Sequence, residues 1–162
     1  MQVDSFCRIG RPEIKNDCPS GWYITDWATL HDAWRSIGTL GLVVDVRNAA
    51  CLHVEYITNR HAGWAYRVLN RLVTSATPPD VILTDCENLY ADVVIAASSV
   101  ATRRVVPQYN PQAAKIASST IFLEALACRL VMLRCQAFRD PTEFNHALLF
   151  WKMQYNRSIS GR

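Results

Sequence analysis

The sequence predicts an α/β domain with a mixed five-stranded sheet and helices on both of its faces. Three β-rich runs come first in the chain, and helical segments then alternate with two short strands. Antiparallel strands followed by strand–helix units are typical of a mixed sheet that buries both faces. The 162 residues, half of them apolar, suit one domain that buries a core of its own.

The first part of the chain is predicted to form an arm and three strands. Residues 1–20 mix prolines with polar residues, which indicates an extended arm. The run GWYITDW, residues 21–27, is aromatic and β-branched, as strands are. Two further β-rich runs, residues 38–48 and 50–59, are joined by a short polar turn at 47–49 and predict a hairpin.

Helices and short strands alternate through the rest of the chain. Apolar side chains at helical spacing predict a helix over residues 61–74, and DVILTD, residues 80–85, reads as a buried strand. The final helix has a start signal, because Asp140 and Pro141 precede a glutamate three residues after the cap. The remaining predicted elements are a helix over 89–100, a strand over 102–106, a loop over 107–111, a long apolar helix over 113–135 and the final helix over 141–155.

Composition excludes several classes of protein. No apolar run reaches the roughly 18 residues that a membrane span needs. The N-terminus has no basic-then-apolar signal region, so we expect an intracellular protein. Six cysteines stand at wide spacings without a CxxC pair, which argues against a zinc ribbon or a redox motif.

Charge is divided unevenly along the chain. Residues 1–100 hold eight Lys/Arg and eleven Asp/Glu, a net charge of −3, whereas residues 101–162 hold nine Lys/Arg and three acids, a net charge of +6. This division suits a protein whose carboxylates hold metal while its cations meet phosphate. Arginine-rich solvated helices explain it equally well.

Five segments in a fixed order carry a family resemblance. They are WYITD at 22–26, LVVDVRNA at 42–49, ILTDCEN at 82–88, VVPQYNPQAAKIASS at 105–119 and WKMQYNRSISGR at 151–162. Together they resemble the catalytic core of retroviral-type integrases and related DDE transposases over roughly residues 22–157. The predicted element order likewise resembles the ribonuclease H-like fold of that family, which implies an integrase-core-like domain over residues 21–162.

The resemblance implies that Asp26 and Asp85 supply the first two carboxylates of a site for Mg²⁺ or Mn²⁺. Two-metal phosphoryl transfer needs hard oxygen ligands that converge from different elements. In the family a glutamate follows the Asn-Pro-Gln tripeptide, and that position falls here on Ser118, or on Ala117 if the loop shifts by one. Neither side chain replaces a carboxylate. We therefore expect weak metal binding and impaired cleavage and joining of DNA.

The missing third acid has more than one explanation. Glu87, at the family's glycine position after Asp85, and Asp45, on the second strand, are candidate substitute ligands. A decayed core kept for another role fits the sequence, and so does a core altered on purpose at the third acid. The alternative function is therefore a non-catalytic DNA-binding or assembly module derived from such a core.

DNA and a second copy of the chain are the expected partners. Arg103, Arg104, Lys115 and Arg157 are candidate DNA-binding residues, because contacts to the DNA backbone need cations. A homodimer is expected because the last two predicted helices are apolar on more sides than one sheet covers, unless they bury each other. The side chains concerned are Ile121, Phe122, Leu123, Leu126, Leu130, Val131 and Leu133 on the long helix and Leu148, Leu149, Phe150 and Trp151 on the final one.

Overall fold

The computed structural model describes residues 21–31, 36–45, 47–48, 50–57, 63–84, 87–99, 106–109 and 140–161. The strands in these ranges are β1 (Gly21–His31), β2 (Ser36–Asp45), β3 (Ala50–Ile57), β4 (Val81–Thr84) and β5 (Val106–Tyr109). The helices are α1 (Trp64–Ser75), α2 (Glu87–Ser99) and α3 (Pro141–Ser160). The arm predicted over residues 1–20 and the long helix predicted over 113–135 lie outside the described residues.

The strands form one mixed sheet in the order β3-β2-β1-β4-β5. β2 pairs antiparallel with both β1 and β3, whereas β4 pairs parallel with both β1 and β5. A tight turn joins β2 to β3, where Asp45 Oδ1 accepts the backbone N–H groups of Arg47 and Asn48 at 2.9 and 3.2 Å. The predicted mixed α/β architecture and its hairpin are therefore confirmed.

Helices cover both faces of the sheet, as the sequence predicts. On one face, α1 and α2 pack over a core that includes Trp22 and Trp64. On the other face, α3 packs over a core that includes Tyr23 and Leu148. Because successive strand side chains point to opposite faces, the neighbours Trp22 and Tyr23 belong to different cores.

One predicted loop is a strand. The sequence predicts a loop over residues 107–111, but β5 occupies Val106–Tyr109 and pairs in parallel with β4. The loop prediction is wrong over residues 107–109, because Pro107 does not end the strand. β5 stands last in the strand order, and an edge strand tolerates a proline since one side of its backbone needs no partner. Of the strand predicted over 102–106, all but Val106 lies outside the described residues.

The start of α3 follows its sequence signal, whereas its end does not. Asp140 caps α3 by accepting the Glu143 backbone N–H at 2.9 Å, with Pro141 in the first turn, as predicted. α3 then continues to Ser160, beyond the predicted end at residue 155. In the described part of the chain, no helix has the length and apolar character needed to cross a membrane.

α3 lies along the open edge of β3 and binds its backbone. The Asn145 side chain accepts the Tyr56 N–H at 2.7 Å and donates to the Tyr56 carbonyl oxygen at 3.0 Å. Asn156 makes the same pair of bonds with Cys51, at 3.0 and 2.8 Å. Each asparagine amide thus makes the two hydrogen bonds that a residue of a neighbouring strand would make. The backbone groups of Cys51 and Tyr56 on this edge are therefore not open to pairing with another chain.

Candidate active site

The candidate site is the margin of the sheet where β4 ends. β1 and β4 are parallel neighbours, with Ile24 opposite Thr84, the last residue of β4. Asp26 lies two residues beyond Ile24 on β1, opposite Gly41 of β2. The carboxyl ends of parallel strands form the margin at which α/β sheets commonly bind ligands.

Most of the other predicted site residues cannot be located. Asp85, Ala117, Ser118, Arg103, Arg104 and Lys115 lie outside the described residues. The proximity of Asp26 and Asp85 therefore stays a prediction. Glu87 is the first residue of α2, close in sequence to the end of β4. Within the described ranges, no three His, Cys, Asp or Glu side chains are grouped closely enough to hold a metal ion.

Asp45 does not fit the role of a substitute ligand. It is opposite Trp22, and Asp26 lies four residues further along β1, a distance of roughly 13 Å along a strand. The carboxylate is also engaged by its own turn, because Oδ2 accepts the Asn48 side-chain amide at 2.7 Å. The structure thus corrects this candidate, since Asp45 stabilises the β2–β3 turn at the far end of β1.

A buried tryptophan packs beneath the strand position next to Asp26. A Cβ added to Gly41 would lie 2.8 Å from Cη2 of the Trp64 ring, so only glycine allows this approach. Trp64 is fully buried, and its indole N–H has no hydrogen-bond partner among the described residues. The sequence identifies Trp64 as a core residue, but no sequence signal links it to Gly41.

A charged cluster on β3 and α1 is a feature that the sequence analysis missed. Arg67 binds the Glu55 carboxylate at 3.1 Å, and His53 Nε2 lies 3.1 Å from the same carboxylate. Arg71 lies one helical turn further along α1, and its guanidinium is 3.0 Å from His53 Nδ1. The signal was available, because the two β3 residues alternate at strand period and the two arginines stand four residues apart.

The hydrogen bonds of this cluster determine the tautomer of His53 and affect its protonation. Because a guanidinium only donates, Nδ1 of His53 accepts from Arg71, and Nε2 carries the proton and donates to Glu55. Burial lowers the pKa of His53, although the Glu55 hydrogen bond opposes that shift. The hydrogen bond with His53 lowers the pKa of Glu55, and the charge of Arg67 acts in the same direction. The cluster therefore favours neutral histidine beside ionised glutamate.

Arg157 is the one predicted DNA-binding residue that the structure describes. It is exposed in the last turn of α3. Its neighbour Asn156 binds Cys51, near the start of β3. Because β3 runs in the same direction as β1, Arg157 lies towards the amino ends of these strands, away from the end of β4. Its contact with DNA stays a prediction.

The same fold occurs in solved structures. The catalytic domain of the Mos1 mariner transposase is similar, with a TM-score of 0.54 and 15% identity, over 87% of this chain and 76% of that one. The chain has an integrase/transposase-like fold. A chain of the simian T-cell lymphotropic virus intasome, solved in complex with PP2A regulatory subunit B56 gamma, aligns with a TM-score of 0.49 and 18% identity over 75% of this chain. This chain spans 42% of the length of that intasome chain.

The sequence comparisons found no counterpart. No family model matches the chain, and no curated protein matches it. Within this fold, the candidate position for chemistry is the place where β4 ends beside Ile24 of β1.

Proposed function

We propose that the chain is a DNA-processing domain of integrase or transposase type, which cleaves and joins DNA strands by metal-dependent phosphoryl transfer. The parallel register of β1 and β4 carries this proposal. Asp26 follows Ile24 by two residues, Asp85 follows Thr84 directly, and Ile24 and Thr84 are register partners. Two acids that follow paired positions on adjacent parallel strands belong to one margin of the sheet. The likeness of fold to the Mos1 catalytic domain supports the same function.

Asp26 and Asp85 are the proposed ligands of Mg²⁺ or Mn²⁺. Both offer the hard carboxylate oxygens that these ions prefer. A bound pair of such ions stabilises the attacking and leaving oxygens of a displacement at phosphorus. With Ser118 or Ala117 at the position of the third acid, one ion lacks a protein ligand, so the proposed activity is low. Glu87 is the remaining substitute, because it begins α2 just after β4.

Calorimetric titration with Mn²⁺ tests this site. The unmodified chain is expected to bind weakly, and Asp26→Asn to abolish the binding. Ser118→Glu is expected to tighten binding more than Ala117→Glu, because a carboxylate at the correct helical position completes the set. Equal affinities of the two glutamate variants would contradict the assignment of the third position.

Glu87→Gln tests the substitute ligand in the same titration. If Glu87 holds the ion, the variant binds Mn²⁺ more weakly than the unmodified chain. Asp80→Asn is the matched control, because Asp80 is an exposed acid that precedes the opposite end of β4. Equal losses in both variants would indicate a general effect of charge rather than ligation.

A non-catalytic assembly module is the second candidate, and the outer side of α3 favours it. Leu149, Phe150 and Met153 are 49%, 62% and 47% exposed. A cluster of this kind marks a surface that is covered by another chain. We propose that this surface takes part in a homodimer. Sedimentation at micromolar concentration should show a dimer that Phe150→Lys dissociates, and a monomer at every loading would contradict the proposal.

A further inference from the structure

Two cations from helices on opposite faces of the sheet bind consecutive residues of β3. Arg71 of α1 donates to His53 Nδ1 at 3.0 Å. Lys152 of α3 donates through Nζ to the Leu52 carbonyl oxygen at 3.2 Å. Leu52 and His53 are consecutive residues at the point where the register between β2 and β3 shifts. Arg71 and Lys152 therefore lie beside the same irregular step of an edge strand.

These two cations have no direct ion pair in the described part of the chain, although the charge of Arg71 acts on Glu55. Neither has a carboxylate oxygen within 4.0 Å there, because the Glu55 carboxylate binds Arg67 and His53 instead. His53 adds no positive charge near neutral pH, since burial lowers its pKa and the charges of both cations act in the same direction. The cluster thus combines three cationic side chains with one carboxylate.

We propose that Arg71 and Lys152 form a phosphate site whose ligand is a backbone phosphate of bound DNA. This inference rests on the proposed function, and it places a DNA contact outside the carboxylate margin. Arg71 uses one of its five N–H donors on His53, and Lys152 uses one of three on Leu52, so both retain donors for an anion. A guanidinium suits bidentate phosphate binding, and an ammonium adds a point charge.

The location of this site determines what it contributes. β3 is two strands away from β1, which corresponds to roughly 10 Å across the sheet. A phosphate held there is distinct from the group that reacts near Asp26. Contacts of this kind fix the position and orientation of a duplex without reading its sequence. The site therefore positions DNA across the β3 side of the sheet.

Salt-dependent DNA binding tests the site. Arg71→Gln and Lys152→Gln are each expected to weaken duplex binding about three- to ten-fold at 100 mM salt and to reduce the slope of log K against log salt by about 0.9. Arg71→Lys should retain most of the affinity, because it keeps the charge. Arg67→Gln is the control, since Arg67 lies one turn away on α1 but is paired with Glu55. A loss in Arg67→Gln equal to that in Arg71→Gln would overturn the proposal in favour of a diffuse field.

The imidazole of His53 reports occupancy independently in an NMR titration of the full chain. A duplex should shift the His53 ring signals, which His53→Gln identifies, and inorganic phosphate should do so only at much higher concentration. A shift with phosphate but none with DNA would overturn the DNA assignment of this site. DNA binding that persists unchanged in Arg71→Gln and Lys152→Gln would overturn the site alone. A chain that binds no DNA at any salt would refute the proposed function itself.

Discussion

The edge of β3 and the margin where β4 ends belong to the same sheet, but they use polar residues in opposite ways. At the β3 edge, Asn145 and Asn156 satisfy backbone groups through paired hydrogen bonds. At the other margin, Asp26 belongs to a strand whose parallel neighbour ends at Thr84. The first arrangement holds an element in place, whereas the second includes Asp26, which we propose as a metal ligand. Stability and function are therefore expected to depend on different residues.

The double variant Asn145→Ala/Asn156→Ala is the strongest test of the closed edge. Each substitution leaves an N–H and a carbonyl oxygen of β3 without their side-chain partner. A loss of about 1–3 kcal/mol per residue is expected in the free energy of unfolding, or about 2–6 kcal/mol together. Urea denaturation measures it. Gln154→Ala, on an exposed position of α3, controls for the helix propensity of alanine.

The variant Gly41→Ala tests the packing beneath the strand position next to Asp26. The added Cβ would lie 2.8 Å from the Trp64 ring, and overpacking of this kind costs about 1–3 kcal/mol. Gly161→Ala is the control, because a Cβ added there would lie no closer than 3.5 Å to a neighbouring atom, the Arg157 carbonyl oxygen. In Gly41→Ala/Trp64→Phe the smaller ring relieves the contact, so a double-mutant cycle should show favourable coupling. Simple additivity would mean that the sheet adjusts instead.

Acidification tests the charged cluster on β3 and α1. Because the pKa of His53 is lowered from 6.5 in the folded chain, the unfolded chain takes up its proton first as the pH falls. Stability is therefore unaffected above about pH 6.5 and decreases below it, by at most about 1.4 kcal/mol per pH unit. Lowering of the Glu55 pKa adds a further loss only below 4.5.

The variant His53→Gln separates the histidine contribution from that of the glutamate. Between pH 6.5 and pH 5, the variant should show a flatter dependence of stability on pH than the unmodified chain. Denaturation at three pH values in that interval is sufficient. An unchanged slope would assign the loss of stability to groups other than His53.

The sequence predicts the local elements of this fold better than the contacts between residues far apart in the chain. Strand composition and the Asp140 cap depend on neighbours in sequence, so the hairpin and the start of α3 are predictable. The bonds of Asn145 and Asn156 to β3 join residues far apart in the chain. An asparagine on a helix gives no signal of such a partner. Asp45 shows a related limit, because its distance from Asp26 depends on the register between β1 and β2, which composition does not determine.

The variant Asp26→Asn is expected to have the smallest effect on folding and so gives the sharpest contrast. An acid kept for metal chemistry is not required for the packing of the sheet, so the free energy of unfolding without metal should change by no more than about 0.5 kcal/mol. In the unmodified chain, Mn²⁺ should raise the melting temperature, because an ion that binds only the folded state stabilises it. The variant should lose that increase. Two results would contradict a role in metal binding: a large loss of stability without metal, or an increase in melting temperature with Mn²⁺ that survives the substitution. Asp26 would then have a structural role, like Asn145 and Asn156.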